Sequence, residues 1–465
     1  MRELVRHHLR FFLAAALAGI VLRLFFVFHF PAVVTDSLVY GDIAKNWLRH
    51  GVFGLSGINE VSPTYIRLPG YPAFLAVIFT IFGMENYLAA LIVQVFVDIG
   101  TCLLIADIAR RCVSARAARI AFLLAALCPF LASYAAAALT ETWEIFFTVL
   151  ALDLALAGLA GEGRTRAWVG CGFAIGGAIL LRPDGGLLLA AIEVYLLAAL
   201  AKMLVIRTEP GGRVSSYWPV ARAGAIVALA AFATLVPWTI RNLRTFHEFQ
   251  PLAPRYANQD GDFVPMGFNR WVKTWMANYA SVEEVYWAVP GKPIDVDNLP
   301  SRAFDSEEQF DQTQGLIEDY NKRLDVTPEL DARFAALAAQ RIRHSRWRYY
   351  IWLPLLRVAD MWLRPRSEML PCSTRWWEFD EDPEWLAAGI VVGVINLAYI
   401  GAALLGLVRV QFTSAIALLL TFVVLRSVFL ATLENPEPRY TLECYPLVIV
   451  LAAACWLNSR GERTA

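Results

Sequence analysis

The sequence predicts an all-α integral membrane protein, a polytopic helical bundle of about ten spans. Three observations lead there. Of 465 residues, 58% are hydrophobic and 18% charged, with a mean hydropathy of +0.49, whereas a soluble chain carries nearer a quarter charged residues. The apolar residues come in continuous Ala- and Leu-rich runs of about 20, the length a helix needs to cross roughly 30 Å of hydrocarbon. Lipid offers backbone amides no partner, so only helices or closed barrels cross, and the alternation a barrel strand requires is missing from these runs. Finally, Lys and Arg collect on alternate connections, as cytoplasmic loops demand.

The expected spans are 9–30, 86–108, 117–139, 142–160, 166–181, 185–206, 217–238, 385–408, 411–432 and 441–458. The first is too long for a cleaved signal core and is interrupted by Arg23, so it reads as a retained anchor. Segment 69–83 is apolar but short and opens with Pro69 and Pro72, which suits a re-entrant or interfacial helix. If it does not cross, one side receives Arg2, Arg6, Arg10, Arg110, Arg111, Arg116, Arg119, Arg164, Arg166, Lys202, Arg207, Arg213, Arg222, Arg409, Arg460 and Arg463. The opposite short connections keep only Arg182 and Arg439. Both termini then lie in the cytoplasm, and two long segments lie outside.

The resulting division is a membrane module 1–240 including the outer loop 31–85, a large outer loop 241–384, and a C-terminal part 385–465 with a hairpin, a last span and a tail. The large loop carries an acidic stretch (Asp305, Glu307, Glu308, Asp311) and a helix-like run over 328–363. Within that run, 346–363 mixes Trp and Tyr with Arg, the composition of an interfacial helix. A net charge of +0 gives no reason to expect nucleic acid as a partner. Of the 7 cysteines only Cys372 falls in the large loop, so no disulfide framework is expected.

The short polar motifs converge once this topology is drawn. Asp36, Tyr40 and Asp42 follow the first span, and Arg67-Leu68-Pro69-Gly70-Tyr71-Pro72 comes next. Glu141 stands at an outer mouth, Arg182-Pro183-Asp184 ends the fifth span, and Pro237-Trp238-Thr239-Ile240-Arg241-Asn242 ends the seventh. Glu437-Pro438-Arg439-Tyr440 precedes the last. All fall at the outer boundary. Arginine holds phosphate oxygens through a planar fork and keeps its charge, so Arg67, Arg182, Arg241 and Arg439 are the candidate donor-phosphate ligands. Asp36 and Glu141 are the candidate catalytic carboxylates, since an acid beside such a cluster is placed to take a proton from an acceptor hydroxyl. Tyr40, Asp42, Tyr71, Asp184 and Tyr440 are accessory candidates. The chemistry described is group transfer from a lipid phosphate.

These motifs, in this order, resemble those of the GT-C glycosyltransferases, specifically the bacterial branch similar to protein mannosyltransferases and lipid A aminoarabinose transferases. The resemblance rests on Asp36, RLPGYP, the Leu-Thr-Glu ending at Glu141, the RPD of Arg182, PWTIRN and PEPRY. It covers most of the chain outside 243–383. It implies a polyprenyl-phosphate-linked sugar donor, an inverting transfer with Asp36 as base, and an active site facing outward from a bacterial inner membrane. The acceptor it implies is a glycolipid, a polysaccharide or a protein. Where protein mannosyltransferases carry an Asp-Glu pair, Ser37 follows Asp36 here. The sequence requires no cofactor, and a divalent metal is left open without support, because no His/Cys/Asp cluster at ligand spacing occurs in the outer segments.

Other readings stand beside these. Asp36 suits a helix N-cap, each arginine suits a snorkelling span end, and Tyr71 and Tyr440 suit an aromatic belt. Arg23, Asp98, Glu144, Asp153, Glu193 and Arg426 fall inside spans, where a charge must face a partner; an Arg23–Asp98 pair is expected. Pro129 is expected to kink the third span. A lipid-sugar transporter or flippase, or a non-catalytic envelope scaffold, are the competing functions.

Overall fold

The computed structural model describes residues 1–58, 60–207, 217–378 and 383–456. Arg213, Arg460 and Arg463, and the last residues of the expected span 441–458, lie outside them. The chain divides into two compact units. The first comprises Met1–Asp260, Ala398–Leu425 and the described part of Leu442–Ala465; the second comprises Gly261–Leu397 and Arg426–Thr441.

The first unit opens with a short helix α1 (Arg2–His7) and the apolar α2 (Leu9–His29). The outer segment follows as α3 (Thr35–His50), an antiparallel hairpin of β1 (Gly54–Ser56) and β2 (Val61–Pro63), and α4 (Gly70–Phe82). At 13 residues α4 is only about 20 Å long, too short for roughly 30 Å of hydrocarbon. The bundle continues through α5 (Tyr87–Cys112), α6 (Ala115–Ala126), α7 (Pro129–Ala135), α8 (Glu141–Leu159), α9 (Arg164–Leu181), α10 (Gly186–Arg207) and α11 (Trp218–Phe246).

Among the described residues, 7 helices are long and apolar enough to cross a membrane, or 8 if a bent pair counts as one span. The expected span 166–181 forms as α9, but Arg164 and Arg166 dilute its hydropathy. The expected third span is broken: α6 and α7 meet at 50°. Pro129 is the cause, because it stands at the start of α7 and lacks the N–H that would continue α6.

Two groups of buried charges in this unit are paired. Arg23, fully buried, donates Nε to Asp98 Oδ2 at 2.6 Å, and its Nη1 reaches the carbonyls of Gly19 at 2.9 Å and Ala126 at 2.6 Å. The expected Arg23–Asp98 pair thus forms, and it fastens α2, α5 and α6. At the C-terminal end of α5, Arg111 gathers Asp107, Asp153 and Glu162 at 2.8–3.0 Å.

The second unit begins its helices with α12 (Met266–Lys273) and the single turn α13 (Tyr279–Ser281). It continues with α14 (Glu307–Asn321), α15 (Pro328–His344) and α16 (Leu353–Leu363). Its core is aromatic, with Phe268, Trp271, Trp275, Tyr320 and Phe334 all buried. The carboxylate of Asp331 on α15 accepts from the amides of Gly267 and Phe268, both at 2.9 Å, and so caps the first turn of α12. The continuous run expected over 328–363 is divided. Ser345 ends α15, a π-helical turn occupies Arg348–Trp352, and Pro354 opens α16. Of the three remaining helices, α17 (Pro383–Arg409) and α18 (Ser414–Ala431) are each divided between the units, and α19 (Tyr445–Ala454) belongs to the first.

Candidate active site

The site grows from the outer segment of the first unit. Thr35 and Asp36 open α3, and Val34 occupies the N-cap while its amide donates to the Ser37 hydroxyl at 3.0 Å. Asp36 is therefore not the cap. Its carboxylate instead accepts Nη2 of Arg67 at 2.9 Å. Arg67 lies 5.9 Å above the ring of Tyr40, one turn along α3, and Tyr40 meets Tyr71 edge to face at 5.2 Å. RLPGYP thus works as one unit: Arg67 reaches the acid, and Pro69 and Gly70 turn the chain so that Tyr71 points back beneath Tyr40.

A second group lies near enough to act electrostatically on the same tyrosine. Glu141 and Glu144 share a face of α8 at i, i+3 spacing and are each only 3% exposed. Arg182, in extended conformation after α9, lies 3.8 Å from Glu141, 3.3 Å from Glu144 and 3.2 Å from Asp184. The electrostatics of Tyr40 tie the two groups together. Burial raises its phenol above the ordinary range; the charges of Asp36 and Glu141 push the same way, and Arg67 and Arg182 oppose them. Burial likewise raises Tyr71, with Glu141 adding to it.

Arg67 meets Asp36, while Arg182 meets Glu141, Glu144 and Asp184. Arg182, expected as a phosphate ligand, is thus already surrounded by acids. Glu144 escaped sequence reasoning because it read as one more charge inside a span; its i, i+3 relation to Glu141 was the available signal.

Other candidates are placed elsewhere. Asp42 accepts from the Ser56 amide at 2.7 Å and from Lys45 at 3.3 Å, so it braces the hairpin. Arg241 donates to the carbonyls of Thr64 at 2.8 Å and Phe53 at 2.6 Å. It also stacks on Phe53, Trp238 and Phe246 at 5.1–5.3 Å. Its fork holds the outer loop to the end of α11. Arg439 and Tyr440 belong to the second unit, where Glu437 accepts from Tyr440 Oη at 2.7 Å and lies 2.6 Å from Arg439. In the same unit Arg426 donates to the Tyr440 carbonyl at 2.9 Å. Among the described residues, no group of three or more His, Cys, Asp or Glu is arranged to hold a metal ion.

The fold and this cluster define a class: a polytopic helical membrane protein with carboxylates and arginines gathered around a buried tyrosine pair. Comparison with known proteins specifies it further. Residues 63–238 match the family described as dolichyl-phosphate-mannose-protein mannosyltransferase, a stretch that holds Arg67, Tyr71, Glu141, Arg182 and Asp184.

The structure is similar to the archaeal oligosaccharyltransferase AglB from Archaeoglobus fulgidus, solved in complex with an inhibitory peptide and a dolichol-phosphate. Identity is 14% over 96% of this chain and 50% of that one, with a TM-score of 0.50. The chain therefore spans about half the length of that protein. ArnT from Cupriavidus metallidurans, bound to undecaprenyl phosphate, matches at 14% identity over 96% of this chain and 77% of that one, with a TM-score of 0.42. No curated protein matches the sequence. The chain resembles the GT-C membrane glycosyltransferases, and its fold is theirs.

Proposed function

We propose that this chain is a membrane glycosyltransferase that moves a sugar from a polyprenyl-phosphate donor to an acceptor hydroxyl on the outer face of the membrane. The observation that carries the reading is the Asp36–Arg67 pair, set over Tyr40 at the entrance of α3. In it a proton acceptor and a phosphate-binding fork sit side by side. The polyprenyl phosphate oxygens compete for Arg67, and its fork turns from Asp36 toward them as the donor arrives. Asp36, released from that pair, accepts the acceptor O–H proton while the acceptor oxygen attacks the anomeric carbon. The carbon–oxygen bond to phosphate breaks, polyprenyl phosphate leaves with the bonding electrons, and the anomeric centre inverts. The three carboxylates that approach Arg182 favour a role for Glu141 and Glu144 in holding acceptor hydroxyls rather than phosphate.

The family match over 63–238 and the shared fold support the class of reaction. The distribution of Lys and Arg supports the outward orientation, with both termini cytoplasmic. The acceptor is a glycolipid, a polysaccharide or a protein. Mass spectrometry of envelope lipids and glycans from cells with and without the chain tests the proposal. One glycoconjugate should disappear and should return with the wild-type chain but not with D36N. Full restoration by D36N, at equal membrane abundance, would remove Asp36 as base.

A further inference from the structure

The two carboxylate-bearing segments are joined through one buried amide. Gln94 stands on α5 with no exposed surface, where a polar side chain needs a reason. Its Oε1 accepts from Tyr71 Oη at 2.8 Å. Its Nε2 donates to the carbonyl of Ala137, in the turn between α7 and α8, at 2.7 Å and to that of Ala135, the last residue of α7, at 3.3 Å. That turn makes one parallel bridge, Ala137 to Ala32, with the extended segment leaving α2. Ala32 donates to the Ala136 carbonyl at 2.9 Å, and Ala138 donates to the Ala32 carbonyl at 2.8 Å.

Ala32 lies four residues before Asp36, and Ala138 three before Glu141. The contacts therefore close a circuit. Asp36 meets Arg67, Arg67 covers Tyr40, Tyr40 packs on Tyr71, Tyr71 bonds Gln94, and Gln94 holds the turn that pairs with the approach to Asp36. The Asp36–Arg67, Tyr71–Gln94 and Gln94–Ala137 links are hydrogen bonds of 2.9, 2.8 and 2.7 Å, and the two ring contacts lie at 5.9 and 5.2 Å. Broken-helix backbone at this depth exposes carbonyls that lipid cannot satisfy; the Gln94 amide satisfies two of them and transmits their position to Tyr71.

We infer that Gln94 is a positioning residue for the transfer reaction, setting the separation of Asp36 and Glu141 through the Ala32–Ala137 bridge and the Tyr71 hydroxyl. The inference rests on the transferase reading. It adds that the spacing of the two acids depends on a side chain that touches neither.

The test uses the full-length chain with Q94M, which keeps the volume and removes both polar functions. Y71F keeps the ring and removes only the donor, and Q94E keeps an acceptor for Tyr71. Three readouts are taken: the amount of the glycoconjugate lost in D36N cells, the Kd for undecaprenyl phosphate, and hydrogen exchange of peptides covering 31–38 and 132–142. Q94M should lower the glycoconjugate at least tenfold while the Kd stays within threefold. Exchange at the Ala32 and Ala138 amides should rise at least tenfold, with other bundle peptides unchanged. Y71F should move the same readouts about threefold, and Q94E should recover part of the Q94M loss.

Wild-type turnover or unchanged exchange in Q94M overturns the inference. A tenfold loss of lipid binding matching the loss of turnover also overturns it, since that is the mark of general damage. Should Q94M fail to reach the membrane, Y71F decides by the same criteria. If the wild-type chain transfers nothing, the transferase reading falls and the catalytic half of this inference with it; the exchange result then decides the clamp alone.

Discussion

Arg67 donates to the Asp36 carboxylate at 2.9 Å, so the acid proposed as base is held by the cation proposed to bind the donor's leaving phosphate. Replacing Asp36 by Asn removes the proton acceptor and keeps the shape. Turnover should fall by about 10²–10⁴, the usual contribution of a general base, with undecaprenyl phosphate binding retained in a filter or native-mass assay. Arg67→Lys keeps the charge without the planar fork. It should weaken that binding and lower turnover together, which separates the two roles.

Arg182 lies within 3.8 Å of Glu141 and Glu144, both buried. Removing one partner of a buried pair leaves an uncompensated charge and costs about 3–5 kcal/mol. Arg182→Met should therefore lower the melting temperature in detergent by more than E141Q or E144Q does. The triple variant with both glutamines should regain much of that loss. A melting temperature unchanged by Arg182→Met would mean that the acids are not held by it.

The Arg23–Asp98 pair, fully buried, answers to the same physics. Asp98→Asn should destabilise by about 3–5 kcal/mol, while replacing both residues with apolar ones of similar volume should be close to neutral. A double-mutant cycle on thermal unfolding measures the coupling. Glycoconjugate synthesis at permissive temperature should survive the double replacement.

Asp42 supplies a pH dependence. Burial alone would raise its carboxyl, but the Ser56 amide and hydroxyl and the Lys45 ammonium together hold it below the ordinary carboxylate range. A group whose folded pKa is depressed adds stability that is complete above its unfolded pKa. That stability is lost as pH falls through the folded one. Asp42→Asn should thus lower the melting temperature at neutral pH, and the difference from wild type should shrink only as pH drops below about 4.

Arg241 makes its hydrogen bonds to carbonyls of the outer loop. Arg241→Lys should speed hydrogen exchange and proteolysis across 53–64, because one ammonium cannot serve Thr64, Phe53 and three aromatic faces at once. If Arg241 acts on donor phosphate, the same variant should instead weaken undecaprenyl phosphate binding and leave the loop protected.

Much of this architecture was legible because it follows from local chemistry. Apolar length reports the spans, Pro129 reports the break between α6 and α7, and charges at matching depth report the Arg23–Asp98 pair. The expectation of about ten spans exceeds the 7 or 8 helices that meet the length and composition test, because α9 and α19 are short or charge-diluted in ways that motif order conceals. Candidate residues were found by type and by position at a loop, which separates neither Arg241 from Arg67 nor Glu144 from a buried structural acid.

The sequence by itself determined that this chain is a helical membrane protein and named Asp36, Arg67, Glu141 and Arg182, since hydrophobic length and motif order are properties of the linear chain. Only the tertiary structure decided which arginine faces which acid. It also revealed that Gln94 joins the segments carrying Asp36 and Glu141, because those contacts depend on how helices distant in sequence bring their side chains within about 3 Å of one another.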